Sequence, residues 1–203
     1  KFKKEKIIYA SSSAVYGENK LLNNEKTRLK PKSLYGKTKI ENEKNANEFY
    51  NKFNISSVGL RFSNIYGKYQ RSSSIYSAVI SKWINLLKIK KSIIMHDNKH
   101  IRRDFCHVSD VVSSIKLSLN YLERNNKAEI FNIAYGKSIS LKILLKNILE
   151  FNKKRNKFTK LKIKKEKTPK NNIIVSKISI KKSLNYLKYK PKINIKKGLY
   201  LSF

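Results

Sequence analysis

A tyrosine and a lysine stand four residues apart in "SLYGKTK" (Ser33 to Lys39), just after a serine suited to begin a helix. In a helix Tyr35 and Lys39 lie on the same face, so the ammonium can sit near the phenol. A phenol has an ordinary pKa of about 10, and a neighbouring cation favours the phenolate. The pair therefore predicts a general base, although the same spacing arises by chance in a chain with 12 tyrosines and 47 basic residues.

Alternating apolar strands and helices are predicted around this pair. "KIIYASSSAVYG" begins with a short apolar run and continues as a loop, and a helix is predicted from about Leu34 to Phe53. "ISSVGLRFSNIYG" is again a strand followed by a loop. This alternation favours a parallel α/β architecture.

In the remainder of the chain strands and helices continue to alternate, and the predicted helices are amphipathic. Amphipathic helices are predicted in "SSSIYSAVISKWINLLKI" and "HVSDVVSSIKLSLNYLERN", and strands in "SIIMHD" and "EIFNIAYG". "SISLKILLKNILEFN" predicts a serine-capped helix, and the C-terminal segment is predicted to be irregular apart from a small helix near "ISIKKSLNYL". A soft boundary is expected near residue 70.

The net charge of +34 invites an interpretation as a nucleic-acid binder. Only seven of the basic residues are arginines, and the densest run, from Lys153 to Lys170, lacks the interleaved aromatic side chains that stack on bases. Lysine, asparagine and isoleucine are abundant along the whole chain, as expected from an A/T-rich genome. We therefore expect no nucleic-acid partner, with a basic nucleic-acid-binding module as the alternative from another class.

Composition also bears on membranes, disulfides and metals. No run of about eighteen apolar residues predicts a membrane span, and no export signal is recognised, so a cytoplasmic location without a membrane partner is expected. The single cysteine, Cys106, excludes an internal disulfide and suits a small core residue. His96, His100 and His107 have no acid-rich partner set in the sequence, so we expect no metal site.

Six motifs in a fixed order resemble the extended short-chain dehydrogenase/reductases, specifically the NAD-dependent epimerase/dehydratase family of nucleotide-sugar enzymes. They are "SSSAVYG" (Ser11 to Gly17), "YGKTK", "LRFSNIYG" (Leu60 to Gly67), "RDFCHVSDV" (Arg103 to Val111), "FNIAYGKSISL" and "YKPKINIKKGLYLSF". The resemblance implies the C-terminal part of a Rossmann-type doubly wound parallel sheet plus a small α/β substrate-binding domain. Residues 1–70 would be the remnant of the NAD-binding domain, with the catalytic residues, and residues 71–203 mainly the nucleotide-sugar-binding domain.

Within the family, "YSAVISKWI" and "RDFCHV" are most similar to the UDP-N-acetylglucosamine 4-epimerases. By that resemblance Tyr35 removes the proton of the sugar 4-hydroxyl while a hydride passes from carbon 4 to NAD, and a transient 4-keto sugar takes the hydride back on its other face. Lys39 favours the phenolate of Tyr35 and holds the nicotinamide ribose, so both residues also count as cofactor-binding. Ser12 relays the proton, and Ser13, which also contacts substrate, is the competing assignment.

Three further residues are assigned to the substrate by the same resemblance. Asn64 would touch the sugar diphosphate, or else cap a turn. Arg103 would grip the diphosphate through its planar donor fork, or else pair with Asp104. Ala78 would leave room for an N-acetyl group, although alanine is also a common helix residue.

The sequence departs from the family pattern most clearly in its glycines. The Gly-rich turn that seats the NAD pyrophosphate is absent, because the glycines at 17, 36, 59, 67, 136 and 198 are too far apart to form it. Further replacements are expected to weaken diphosphate binding: Asp97, Asn98, Lys99, Asn171, Asn172, Ile174 and Ser179. We therefore interpret the chain as a fragment that would expose a strand edge, fold poorly alone and be inactive alone.

The sequence thus predicts NAD-dependent epimerisation at carbon 4 of a UDP-sugar, with UDP-N-acetylglucosamine as the expected substrate and a homodimer as the complete protein. UDP-glucose and UDP-glucuronate 4-epimerases are alternatives. A dTDP-glucose 4,6-dehydratase is less favoured, because it needs a Thr-Asp-Glu run where this chain has Ser12-Ser13-Ala14. An inactive sugar-nucleotide binder is a further alternative.

Overall fold

The computed structural model describes residues 5–19, 21–70, 79–97, 100–155, 162–169 and 173–203. Strands and helices alternate along them in the order β1 (Lys6–Ser12), α1 (Leu34–Phe53), β2 (Ser56–Phe62), β3 (Asn64–Tyr66), α2 (Val79–Lys88), β4 (Ile93–His96), β5 (Arg102–His107), α3 (Val108–Arg124), β6 (Ala128–Ile133), β7 (Ser138–Ser140), α4 (Leu141–Lys154), β8 (Ile163–Glu166), α5 (Lys181–Leu187) and α6 (Ile195–Ser202). A 3-10 turn, Ser13–Tyr16, directly follows β1.

Three parallel strands form a sheet in the order β1-β2-β6. Ser12 at the end of β1 lies opposite Phe62 at the end of β2, and Phe62 lies opposite Ile133 at the end of β6. The carboxyl ends of the three strands therefore meet at one edge, where ligands bind in open α/β sheets. Strand β6 of this sheet comes from the part of the chain after residue 70, whereas β1 and β2 come before it. The predicted division of the chain near residue 70 stays a prediction.

A second sheet in the order β3-β5-β7 continues from this edge, and β4 pairs in parallel with β8. Asn64 on β3 lies opposite Phe105 on β5, and Arg103 on β5 lies opposite Ile139 on β7. Only Ser63 separates β2 from β3, so the chain passes from one sheet to the other beside the edge that carries Ser12.

Helices cover both faces of the first sheet, which explains why β2 is buried along almost its whole length. On one face Val58 and Leu60 pack in a core with Val111 and Leu122 of α3. On the other face Arg61 meets α1. The predicted parallel α/β class is therefore confirmed.

Helix α1 has the bounds that its sequence predicts. Ser33 caps it by accepting a hydrogen bond from the Gly36 N–H at 3.1 Å, and Asn54 ends it in the left-handed conformation with φ 56°. Tyr35 and Lys39 thus lie in its first two turns.

None of the helices in the described part of the chain combines the length and the hydrophobicity that a membrane span requires.

The small helix predicted near "ISIKKSLNYL" is confirmed as α5, but the prediction that the rest of the C-terminal segment is irregular is wrong, because it misses β8 and α6. Asn194 caps helix α6 through its side chain, which accepts from the Lys197 N–H at 2.9 Å, and Leu199 is fully buried in the core beside Tyr66. The eight residues of α6 include Gly198, a poor helix former, so tertiary packing stabilises a helix whose own propensity is weak. The sequence pattern also does not predict the short strands β3, β5 and β7, since their pairing is long-range.

Candidate active site

One cavity of about 870 Å³ lies at the carboxyl ends of β1 and β2. Five of the residues predicted for the site line it: Ser12, Ser13, Tyr35, Asn64 and Arg103. Lys39 lies beside it through its contact with Tyr35. Ala78 falls outside the described residues, so its assignment stays a prediction.

The side chains of Tyr35 and Lys39 share one face of α1, as their spacing predicts. Lys39 Nζ lies 5.5 Å from the centroid of the Tyr35 ring and donates a hydrogen bond to the Ala10 carbonyl at 2.9 Å. The bond to β1 holds the ammonium next to the aromatic ring, where it interacts favourably with the ring's electrons. Tyr35 is 42% exposed, so its ring is accessible to a ligand in the cavity.

Ser12 ends β1 and caps the 3-10 turn. Its Oγ accepts a hydrogen bond from the Ala14 N–H at 3.2 Å, which leaves the hydroxyl hydrogen available to a ligand. Ser13 is the first residue of the turn and lines the same cavity. Both serines are therefore placed to contact a ligand, and the choice between them as the proton relay stays a prediction.

Asn64 and Arg103 lie on the neighbouring strands β3 and β5. The Asn64 amide nitrogen donates to the Asp104 carbonyl at 3.0 Å and, by a longer bond of 3.4 Å, to the Ser63 hydroxyl, so its second amide hydrogen can be given instead to a phosphate oxygen of a ligand. Arg103 Nη1 donates to the carbonyls of Arg102 and Ile174 at 2.9 and 3.3 Å. Burial lowers the pKa of Arg103 to about 10, although the Glu18 carboxylate acts in the opposite direction, so the guanidinium is still a cation at neutral pH.

The alternative interpretation of Arg103 as the ion-pair partner of Asp104 is not supported by the contacts of the carboxylate. Asp104 is fully buried and accepts hydrogen bonds from the backbone N–H groups of Tyr135 and Gly136 at 2.8 and 2.9 Å. It thereby anchors the loop after β6 to strand β5. Desolvation raises the pKa of Asp104 to about 6 despite these two hydrogen bonds.

This buried carboxylate predicts a pH-dependent stability. Because the pKa of Asp104 rises from its ordinary value of 3.8 to about 6 on folding, its contribution is most favourable below pH 4 and is lost as the pH rises through 6. Relative to Asp104→Asn, the free energy of unfolding of the natural chain should fall by about 2 kcal/mol between pH 4 and pH 7. Urea denaturation of both chains across this range measures the difference, and a pH-independent difference would contradict the assignment.

Sequence patterns did not identify several other residues that line the cavity, including Gln70, His96 and Ser176. Gln70 is held by two hydrogen bonds, donating to the Ile65 carbonyl at 3.1 Å and accepting from the Ser81 hydroxyl at 2.6 Å. His96 Nδ1 is buried without a hydrogen-bond partner in the described part of the chain.

The donor set around Tyr35 fits one end of the nicotinamide cofactor that the resemblance implies. A phenol, an ammonium and a serine hydroxyl meet at the end of a parallel strand, and they suit the hydroxyl groups of a ribose. The turn that would seat the pyrophosphate is absent from the sequence. The residues present therefore fit the nicotinamide-ribose end of NAD.

Comparison with known proteins places this geometry in a family. A model of the NAD dependent epimerase/dehydratase family matches residues 1–134. An uncharacterized protein of Methanocaldococcus jannaschii is 34% identical over 98% of this chain and 58% of its own length. A putative UDP-glucose 4-epimerase of the same organism is 35% identical over 70% of this chain and 45% of its own length.

A solved structure agrees with the sequence comparisons. The UDP-N-acetylglucosamine 4-epimerase from Methanobrevibacter ruminantium M1, in complex with UDP-N-acetylmuramic acid, superposes with a TM-score of 0.85 and 26% identity, covering 97% of this chain and 62% of that chain. The chain thus spans about half to three-fifths of the length of these proteins. The resemblance inferred from the motifs and the Rossmann-type fold are both confirmed.

Proposed function

The chain belongs to the NAD dependent epimerase/dehydratase family, and from that premise we propose that it supplies the catalytic residues and the sugar-nucleotide site of a UDP-sugar 4-epimerase. The observation that carries the proposal is the single cavity in which Ser12 and Tyr35 meet Asn64 and Arg103. The first two side chains suit proton transfer, and the other two suit a diphosphate. Together they fit a sugar joined to a nucleoside diphosphate.

Tyr35 is the general base of this proposal. Its phenolate accepts the proton of the sugar 4-hydroxyl, and the Ser12 hydroxyl, already oriented by the Ala14 N–H, donates a hydrogen bond to the same oxygen. Lys39, fixed to the Ala10 carbonyl, keeps a positive charge beside Tyr35 and would hold the nicotinamide ribose of the cofactor. NAD, when bound, supplies the reversible hydride chemistry at carbon 4.

Arg103 and Asn64 hold the diphosphate. A buried cation gains more from an anionic partner than an exposed one, because water screens it less. The guanidinium of Arg103 presents a planar set of donors that matches phosphate oxygens, and Asn64 orients the substrate through its amide. Arg103 is half-buried, so part of its solvation is already lost before the ligand arrives.

We propose UDP-N-acetylglucosamine as the substrate, interconverted with its carbon-4 epimer. Two sequence similarities support it, "YSAVISKWI" and "RDFCHV", and so does the solved 4-epimerase that the chain resembles in fold. UDP-glucose and UDP-glucuronate are the competing substrates. Because the sequence holds no Gly-rich turn for the cofactor, we expect assays to need the complete gene product, and a homodimer stays a proposal.

Replacing Arg103 should weaken substrate binding. We expect Arg103→Met to raise the Kd for UDP-N-acetylglucosamine roughly 10- to 100-fold, since a hydrogen-bonded charge is lost from the diphosphate. Isothermal titration calorimetry measures the change. Arg102→Met is the matched control, because the guanidinium of Arg102 bonds to Ser138 and Arg102 does not line the cavity. Equal affinities in the two variants would contradict the role of Arg103.

Turnover tests the proposed function itself. The complete protein should interconvert UDP-N-acetylglucosamine and UDP-N-acetylgalactosamine, with UDP-glucose and UDP-glucuronate as parallel substrates. A faster reaction with UDP-glucose or UDP-glucuronate would support the proposed epimerase activity but would assign a different substrate. Binding of all three sugar nucleotides without conversion would favour the inactive binder.

A further inference from the structure

A buried ion pair joins helix α1 to strand β2. Glu43 and Arg61 are only 7% and 3% exposed. Arg61 Nε donates to Glu43 Oε1 at 2.8 Å and Nη2 donates to Oε2 at 2.7 Å, which makes the pair bidentate. Apolar side chains of similar volume often stabilise such a position equally well, so stability alone does not explain why charges occupy it.

Glu43 belongs to the same helical face as the base of the proposed reaction. It follows Tyr35 by eight residues and Lys39 by four, so the three side chains form one stripe along α1. Two of them bond to consecutive residues of β1: Lys39 Nζ to the Ala10 carbonyl at 2.9 Å, and Glu43 Oε1 to the Ser11 hydroxyl at 2.5 Å. Together these contacts fix the position of α1 along strand β1.

Arg61 extends the same network toward the other side of the cavity. Its Nη1 donates to the Tyr16 hydroxyl at 2.9 Å, and Tyr16 in turn donates to Asn132 Oδ1 at 2.7 Å. Tyr16 ends the turn that begins with Ser13 and is capped by Ser12. One guanidinium therefore contacts both the helix that carries the tyrosine and the turn that carries the serines.

We propose that Glu43 and Arg61 are positioning residues that set the distance between the Tyr35 phenol and the Ser12 hydroxyl. The inference rests on the proposed function, because the distance matters only if both groups act on one substrate hydroxyl. Neither residue lines the cavity, so both act through α1 and the turn. A shift of about 1 Å in such a distance lowers rates by roughly 100-fold without requiring weaker substrate binding.

The test separates positioning from stability with two variants of the complete protein. Glu43→Gln leaves Arg61 buried without its charge partner, so we expect Tm to fall by roughly 10 °C and kcat by roughly 100-fold. Glu43→Leu combined with Arg61→Met removes both charges, which should restore much of the Tm. Its kcat should stay low while KM for the UDP-sugar changes little.

Asp110→Asn is the matched control. Asp110 is a 5% exposed carboxylate that accepts from the backbone N–H groups of Lys192 and Ile193, away from the cavity. It should lower Tm with little change in kcat. Recovery of kcat together with Tm in the double variant would overturn the proposal, since the pair would then be only structural.

A crystal structure of the double variant gives a readout that needs no turnover. We expect the Tyr35 hydroxyl to move by about 1 Å relative to Ser12 Oγ. An unchanged distance would overturn the positioning role even if the protein proved not to be an epimerase. Loss of the proposed function alone would instead appear as an inactive natural protein whose double variant still shows the displacement.

Discussion

Tyr35→Phe is expected to lower kcat for sugar epimerisation by roughly 1,000-fold in the complete protein. The variant removes only the oxygen that would take the 4-hydroxyl proton, and the ring that faces Lys39 at 5.5 Å remains. Binding should survive, because the diphosphate contacts proposed for Asn64 and Arg103 are untouched. Steady-state kinetics combined with calorimetric titration of the UDP-sugar separates the two effects.

A matched tyrosine on the same helix controls for this experiment. Tyr50 donates its hydroxyl to the Asn126 carbonyl at 2.8 Å, far along α1 from the cavity. Tyr50→Phe should leave kcat close to that of the natural protein. A kcat for Tyr35→Phe equal to that of Tyr50→Phe would show that the base lies elsewhere.

Lys39→Met has the second largest expected effect. The substitution keeps an unbranched side chain but removes both the cation beside Tyr35 and the hydrogen bond to the Ala10 carbonyl. We expect kcat/KM to fall roughly 100-fold at neutral pH.

Lys37→Met is the corresponding control, because Lys37 is an exposed lysine two residues away on another face of the helix. It should leave the rate unchanged. A weaker Kd for NAD in Lys39→Met with an unchanged kcat would assign Lys39 to cofactor binding alone. Equal rates for the two variants would contradict any role for Lys39 in the reaction.

Local signals in the sequence predicted the part of the site that lies on a single element. Helix α1 could be delimited from Ser33 to Phe53 because its cap and its helix formers are contiguous. The spacing of Tyr35 and Lys39 then fixed their shared face. Asn64 and Arg103, on β3 and β5, were assigned to the site only through the family resemblance, since no short-range pattern brings them to Tyr35.

The contacts that the sequence did not predict are long-range. Arg61 and Glu43 are 18 residues apart, and no pattern around either residue in the sequence indicates that the two form an ion pair. Asp104 reaches the backbone of Tyr135 across 31 residues. Helix α6 has a cap at Asn194 that could have been recognised, but its stability comes from burial against the core around Tyr66, which only the folded chain supplies.

The most direct test of the central claim follows a label at the reacting carbon. The complete protein would be given UDP-N-acetylglucosamine carrying deuterium at carbon 4 in ordinary water. The account predicts UDP-N-acetylgalactosamine that retains the deuterium at carbon 4, because the hydrogen leaves and returns without exchanging with solvent, and predicts almost no product with Tyr35→Phe. Product that has lost the deuterium to water, or turnover that survives in Tyr35→Phe, would contradict it.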